Sequence, residues 1–512
     1  MNKGLVLSMA AVGLLCVACT DARTADPSSV MIAVPLTMEQ RMATLVAQLG
    51  DEHYTRREQA SRELAEMGLP ALPALRQAAE HHDPEVAVRA KALVETIRTA
   101  AAAECLLWKI QLPDLQPSNI VLSENLVFFH GVHNSSTGLD GCKAHAVSQA
   151  DGTTVWETVT AVWRPRLDLR GGKLICHSSS NTGPMALDPA TGEVLWKVLG
   201  ESPSWVGENT IVCTGHSNWL SGLSAKTGGG VWIADAKRLT NMGHNLVAYP
   251  VSIRLAKDVC LVVIMHCRVY EATNSWTWVL AAVAADTGKK LWDVTLDGPY
   301  LAGAFDDERF YVVLKNNPRV RVFDIKSGLE QESRLTLDAT LADERYHLNL
   351  KVADGTLLCG TPIGLTAYDI ASGEQRWRYT PRGSGPAFRQ ETRIGFSAGH
   401  DDLPVTVHDG EVLLSADNAL LSLDLETGTP LWEYPMESAF AREPVVRDGI
   451  VYFLDGNVYY RTHTNGLPMR TVNGQAVEDI ITPPKSNNRY LYALDLTKAR
   501  QLGPAIRNAN GE

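Results

Sequence analysis

The chain has no basic run. Its 47 Lys and Arg stand against 58 Asp and Glu, a formal net charge of −11. A nucleic-acid binder needs a basic face, so that class is excluded. The largest charge cluster, Arg56-Arg57-Glu58, is mixed in sign and reads as a solvated helix face. Beyond Cys19 no long apolar run occurs, so no second segment could span a bilayer. A Gly-rich phosphate loop is missing too; Thr287-Gly288-Lys289-Lys290 lacks the upstream Gly. Neither a Gly-x-Ser-x-Gly elbow nor a His-Glu-x-x-His helix is found. Aromatics make up only 7% of residues, yet 12 of them are Trp. The spacing of those indoles therefore carries information.

Of 9 cysteines, Cys16 and Cys19 lie near the N-terminus. The others are Cys105, Cys142, Cys176, Cys213, Cys260, Cys267 and Cys359. An odd number cannot all pair internally, no two are adjacent, and no spacing suits a zinc pair. They read as buried thiols acting as small hydrophobes.

The first residues read as an export signal. Lys3 supplies a positive start, and Leu5 to Ala18 is apolar or small apart from Ser8. The run ends in Cys16-Val17-Ala18-Cys19, which resembles the bacterial lipobox. That resemblance implies lipidation at Cys19, which would become the first mature residue. Cys16 stands where Leu is usual, with Leu15 one place further back. The alternative is cleavage after Ala18 or Ala22, giving a soluble periplasmic protein. Thr20 rather than Asp follows Cys19, which in such lipoproteins implies the outer membrane. Anchoring would then be by lipid alone.

The expected organisation is a signal peptide over 1–18, a tether over 19–36, a helical module over 37–102 and a β domain over 105–512. Thr37-Met38-Glu39-Gln40 has the form of a capping box. A second helix fits Tyr54 to Met67, stopped by Gly68, and a third runs from Ala71 to about His81. Asp83-Pro84-Glu85 opens a fourth, with Asp83 as cap and Pro84 in the first turn. Its buried face is Val86, Ala90, Leu93, Val94 and Ile97. The phrases Arg57-Glu58-Gln59-Ala60-Ser61-Arg62-Glu63-Leu64 and Asp83-Pro84-Glu85-Val86-Ala87-Val88-Arg89-Ala90 resemble a HEAT-like module. Two hairpins of that kind need something to dock on. His81-His82 sits in the turn before the last helix and reads as solvated filler.

From Cys105 the texture changes to short β segments, Gly turns and recurring Trp. The phrase is a small or apolar residue, Asp, then Thr-Gly, then Trp four residues after the Gly. It reads Ala186-Leu187-Asp188-Pro189-Ala190-Thr191-Gly192 with Trp196. Copies lie at Gly228 with Trp232, Gly288 with Trp292, Gly373 with Trp377 and Gly428 with Trp432. Asp151-Gly152 with Trp156 is degenerate, and Asp324 to Gly328 has Glu332 where Trp belongs. An eighth copy, Tyr492-Ala493-Leu494-Asp495, has the strand but no Gly turn. A Gly or Asp/Asn turn precedes a β-rich run before each copy, as at Asp409-Gly410 and Asp448-Gly449. Each unit is thus four antiparallel strands, one propeller blade. The stretch from Cys105 onward holds eight units of about 51 residues, close to the usual blade repeat. Long steps place insertions at Leu239–Ser252, Thr380–Leu403 and Asn457–Arg489. Leu106 to Ile110 is an orphan strand bearing Trp108, and pairing it with the eighth unit would close the ring.

The Ala-x-Asp-x-x-Thr-Gly-x-x-x-Trp phrase resembles the tryptophan-docking motif of quinoprotein-like, or PQQ-like, propellers. The resemblance implies an eight-bladed propeller in which Trp108, Trp156, Trp196, Trp232, Trp292, Trp377 and Trp432 dock on turns such as Gly192, Gly228, Gly288, Gly373 and Gly428. Two functional classes share that wheel: quinoprotein dehydrogenases, and scaffolds similar to the outer-membrane assembly lipoprotein BamB. The dehydrogenases commonly stack their quinone under an adjacent Cys-Cys disulfide, and the chain has no such pair. PQQ and calcium are therefore not expected as cofactors, and no metal site is. Trp163, Trp205, Trp219, Trp276 and Trp278 lie off the repeat and read as rim or core packing. His130 and His133 follow a strand with no clear ligand partners, and Gly399-His400-Asp401-Asp402 is a weak cation candidate. Arg164, Arg166 and Arg442 precede blade strands and could line the channel mouth; salt bridges with Asp168 or Glu443 are the simpler role. The expected function is a non-enzymatic envelope scaffold that binds protein partners. The alternative is a quinone- or sugar-handling enzyme using the central funnel.

Overall fold

The computed structural model describes residues 36–506 apart from 113–114, 134–141, 161, 163–165, 178–182, 215–218, 241–245, 257, 269–275, 342–347, 362–363, 382–402, 417–418, 437–442, 456–468, 473–474 and 479–488. The expected signal and lipidation segment, including Cys19, lies outside the described residues.

Four helices open the chain: α1 (Met38–Gln48), α2 (Tyr54–Met67), α3 (Leu72–Ala78) and α4 (Pro84–Cys105). Thr37 and Gln40 make the reciprocal capping box, so two orphan amides at the start of α1 are satisfied. Gly68 ends α2 with φ 64°, a conformation that favours Gly. The third helix is shorter than the sequence suggests. A 3-10 turn, Leu69–Ala71, precedes it, and after Ala78 the chain turns so that Asp83 N donates to His81 Nδ1. His81 thus shapes the turn. Asp83 then caps α4 by accepting from Glu85 N. Leu49, Leu64, Leu72, Leu75, Ala90 and Ile97 form the core between these helices.

Helix α4 passes the boundary expected at residue 102 and runs to Cys105, directly into the strand Leu106–Gln111. Packing explains the extra turn. Ala101, Ala102 and Cys105 are small and sit in one cluster with Trp432, Tyr434, Phe453 and Tyr492 of the β domain. A helix backbone can approach a sheet closely only over such residues.

The β domain is an eight-bladed propeller of four-stranded antiparallel sheets. Blades 1 to 7 span residues 115–159, 166–197, 202–235, 246–296, 300–331, 349–379 and 406–435. Blade 8 takes three strands from 445–495 and its outer strand from Leu106–Gln111. In that closure Trp108 pairs with Ala493 and Gln111 with Tyr490. Lys109 Nζ lies 3.6 Å from the Tyr490 ring centroid, a cation–π staple across the joint. Helix α5 (Ala236–Leu239) links blades 3 and 4, and α6 (Leu496–Ile506) follows blade 8.

The interval Leu239–Ser252 is not a plain insertion. It contains the start of an 11-residue inner strand, Leu246–Ala256, paired along its length with Val259–Arg268. Blade 5 departs in another way. Its outer strand is only Glu330–Gln331, and pairing resumes beyond a bulge, where Val320 N donates to Leu335 O and Leu337 N to Pro318 O.

Candidate functional site

Strand order fixes two unlike faces. Tight turns join first to second and third to fourth strands on one face. The other face carries the second-to-third connections and the links between blades. The expected insertions at 380–403 and 457–489 both emerge there. Residues 382–402, with His400, Asp401 and Asp402, lie outside the described residues. Within the other, Met469–Val472 pairs with Gln475–Glu478.

The tight-turn face is built by the repeat. Each motif Asp folds its own turn: Asp188 Oδ1 accepts from Ala190 N and Thr191 N, and Asp424 Oδ1 from Glu426 N and Thr427 N. The Gly that follows has positive φ, 74° at Gly192 and 68° at Gly428. Close approach is a second reason for Gly. A Cβ on Gly192 would lie 2.6 Å from Trp156, and one on Gly428 2.5 Å from Trp377. In the same way Gly152 meets Trp108, Gly228 meets Trp196, Gly288 meets Trp232 and Gly328 meets Trp292. Each indole thus docks on the turn of the next blade. Trp108 Nε1 donates to Gln149 O, Trp156 to Pro189 O, Trp232 to Ala285 O, Trp292 to Ile325 O and Trp377 to Leu425 O.

Two seams are sealed differently. Gly373 faces no indole, because Glu332 stands where Trp belongs; its Cβ position lies 2.5 Å from Arg334 O in the bulge. Leu335, Leu337 and Leu341 fill that seam instead. A cleft of about 360 Å³ lined by Tyr311, Glu332 and Arg334 remains beside it. Trp432 has no Thr-Gly turn ahead of it. Gly503 of α6 packs against the base of its side chain, at Cα and Cβ, its Nε1 donates to Glu411 Oε2, and Arg500 of α6 donates to Glu411 Oε1. Sequence reading missed this helix, although Asp495 caps it by accepting from Lys498 N, and Leu496, Ala499 and Leu502 follow at helical spacing.

On the loop-bearing face, histidines are buried near the ends of second strands. His130 lies within the strand Leu126–His133 rather than after it, and its Nε2 is 2.7 Å from Thr160 Oγ1. Burial, aided by His145, holds its pKa well below the ordinary 6.5. His177 Nε2 is 2.7 Å from Asp168 Oδ2. Burial opposes ionisation of Asp168, but the His177 hydrogen bond and the nearby charges of His177, Arg166 and Arg170 outweigh it and lower its pKa. His266 Nε2 is 3.0 Å from Thr240 Oγ1, and burial again lowers its pKa. Arg166 begins the inner strand of blade 2. Arg164, Arg442 and Trp163 lie outside the described residues. Glu443 pairs with Lys351 at 2.7 Å. The inner strands are tied across blades by Asn119, which exchanges two hydrogen bonds with the Leu167 backbone, and by Lys351, which donates to Val405 O.

The thiols are turned inward as well. Cys105, Cys142, Cys176, Cys213, Cys260 and Cys359 are buried and free. Burial pushes the Cys105 thiol up to about 11 and the Cys260 thiol to about 12, which disfavours the nucleophilic thiolate. Among the described residues no group of three or more His, Cys, Asp or Glu is arranged to hold a metal ion. Among the described residues this face also exposes aromatic side chains: Trp219 and Trp276 begin or precede third strands, and Tyr249 lies in an inner strand.

A profile of the family described as "Outer membrane protein assembly factor BamB" matches residues 96–276, 216–394 and 387–468. Quinate/shikimate dehydrogenase (quinone) of Acinetobacter baylyi is 23% identical over an alignment of 332 residues, covering 54% of this chain and 38% of that protein. The chain therefore spans well under half the length of that curated relative. Among solved structures, BamB from Moraxella catarrhalis gives a TM-score of 0.37 at 15% identity, covering 57% of this chain and 82% of the other. Quinohemoprotein alcohol dehydrogenase from Comamonas testosteroni gives 0.48 at 14% identity, covering 77% of each.

Proposed function

Because this chain belongs to the family described as outer membrane protein assembly factor BamB, we propose that it is a cell-envelope scaffold that works by binding proteins. One observation carries the reading. Groups suited to acid–base or thiol chemistry (His130, His177 and the six described cysteines) are buried, while Trp219 and Trp276 are exposed at the loop-bearing face. Trp and Tyr are the residue types that anchor protein interfaces. Lipid attached at Cys19 would hold the protein at the outer membrane, facing the periplasm, with the helical module as a second contact surface. Among the described residues no helix is long and apolar enough to cross a membrane.

The test sets binding against catalysis. Titration of the full chain with PQQ and calcium, followed by absorbance, should give no saturable spectral change. In envelope extract, crosslinking should yield a discrete complex that Trp219→Ser with Trp276→Ser weakens. A saturable quinone spectrum with turnover of an alcohol or polyol would overturn the scaffold reading and favour a quinoprotein-type dehydrogenase.

A further inference from the structure

The outer strand of a propeller blade leaves a sheet edge, which natural proteins guard against unwanted pairing with charge or by covering it. This chain does so by a rule. The residue after the docking indole is Lys109 in blade 8, Glu157 in blade 1, Lys197 in blade 2, Asp293 in blade 4 and Arg378 in blade 6; in blade 7 it is Glu433, buried against Arg98 of α4. Blade 3 breaks the rule. There Trp232 is followed by Ile233, which is 74% exposed.

The rest of that edge is equally unguarded. Its strand, Gly230–Asp235, has no charge before its last residue. Val231 is the unpaired residue of a bulge, but it and Ile233 are both exposed while Trp232 between them is buried, so the two lie on the side away from the indole. Trp219 joins them: it pairs with Asp235, and Ser221 pairs with Ile233, which places Trp219 and Ile233 on one face of the sheet. Ser221 Oγ donates to Glu201 Oε2 at 2.8 Å and so brings the link from blade 2, with exposed Leu199, beside this face. Nothing lies within 4 Å of a Cβ built on Gly230, so the start of the edge is open. Among the described residues no further strand pairs with it. The seam behind it lacks one tie: Trp196, the indole docked between blades 2 and 3, has no acceptor for its Nε1 among the described residues.

We infer that the outer edge of blade 3 accepts an extended segment of a partner protein as a fifth strand. A row of backbone donors and acceptors is matched by another strand, and alternating Val231 and Ile233 call for alternating apolar residues opposite. The net charge of −11 sets two copies of this chain against each other and favours a neutral or basic partner. The inference rests on the scaffold reading and supplies its contact surface.

The probe is a synthetic lysine-flanked peptide of alternating valine and threonine, with a proline-interrupted copy as control. Added to the full chain, the first should bind by fluorescence anisotropy and slow amide exchange across 230–235, whereas the control should do neither. Ile233→Lys, at an exposed position, should leave the thermal midpoint unchanged and weaken the peptide by about tenfold or more, since a charge must then be desolvated. Glu157→Lys on blade 1 should bind like the parent. No binding, no protection of 230–235, or equal binding by Ile233→Lys would overturn the inference. So would a concentration-dependent dimer in sedimentation velocity that Ile233→Lys abolishes, which would give the edge to a second copy. A quinone spectrum together with intact peptide binding would remove the scaffold reading and leave the edge site standing.

Discussion

Replacing Trp432 by alanine removes the indole at the point where propeller and helices meet. Trp432 is 1% exposed and lies in one cluster with Tyr434, Phe453, Tyr492 and the end of α4. Gly503 of α6 sits against its Cα and Cβ, which alanine keeps, so the change empties the space of the ring among its cluster neighbours while α6 stays held at the backbone. Loss of a buried aromatic of this size costs about 3–5 kcal/mol. Glu411 also loses its indole donor, though Ser422 and Arg500 still serve it. Trp276 is the matched control, at 42% exposure on the loop-bearing face. Its replacement should stay within about 0.5 kcal/mol. The assay is thermal and urea unfolding of both variants beside the parent. Trp432→Ala should lower the midpoint clearly, and limited proteolysis should then release the C-terminal helix first. Equal midpoints for the two variants would refute the docking role of Trp432 and the packing argument behind it.

Metabolic labelling with a fatty acid should mark the parent and not Cys19→Ala; equal labelling, or none, would reject the lipid anchor. Thiol counting on unfolded, non-reduced protein should find Cys176, Cys213 and Cys359 reactive, whereas the folded protein should react slowly because burial raises their pKa values. A mapped disulfide between Cys176 and Cys213 would contradict their placement in second strands of different blades. His130 is held neutral in the folded state, while the unfolded chain takes up its proton near pH 6.5, so stability should fall as pH drops below that value. His130→Asn should flatten that acid limb between about pH 7 and pH 5, and an unchanged slope would exclude His130 as its source.

The wheel was legible because its repeat encodes two physical requirements at fixed spacing: an Asp that folds a turn, and a Gly that takes positive φ while an indole presses on it. Both can be read without a structure, as can the capping box at Thr37 and the Asp83 cap. The exceptions were less visible. Glu332 was plainly out of place, but nothing local showed that a bulge and three leucines would take over the seam. Trp432 looked like the other indoles, since its partner is a helix some seventy residues away rather than a turn. His130 was read as lying after a strand, because one His in an apolar run does not mark where the strand ends, and nothing in the sequence singled out His177 or His266. The extension of α4 to Cys105 depends on Ala101 and Ala102 meeting the propeller, a tertiary contact that helical periodicity does not contain.

The two exceptions to the edge rule have a spatial logic. On blade 7 the charge after the indole, Glu433, is not a guard at all: it is buried and pairs with Arg98 of α4 at 2.9 Å. A buried pair of this kind is destabilising to break, by about 3–5 kcal/mol, because the remaining charge is stranded. It therefore fixes the helical module in orientation against blade 7, where α4 and α6 cover the outer edge that charge protects elsewhere. Blade 3, whose edge carries Ile233 instead of a charge, lies four blades from blade 7 in a ring of eight, half a turn around. One outer edge is thus already occupied by the chain's own helices, and the uncharged one faces the opposite way. Because the ring is closed by Leu106–Gln111 directly after α4, the strand that completes the wheel also ties the helical module to it. A partner held on blade 3 and anything held by the helices would therefore be kept at a fixed separation across a rigid wheel. Free tethering of two modules by a flexible linker would not impose that geometry.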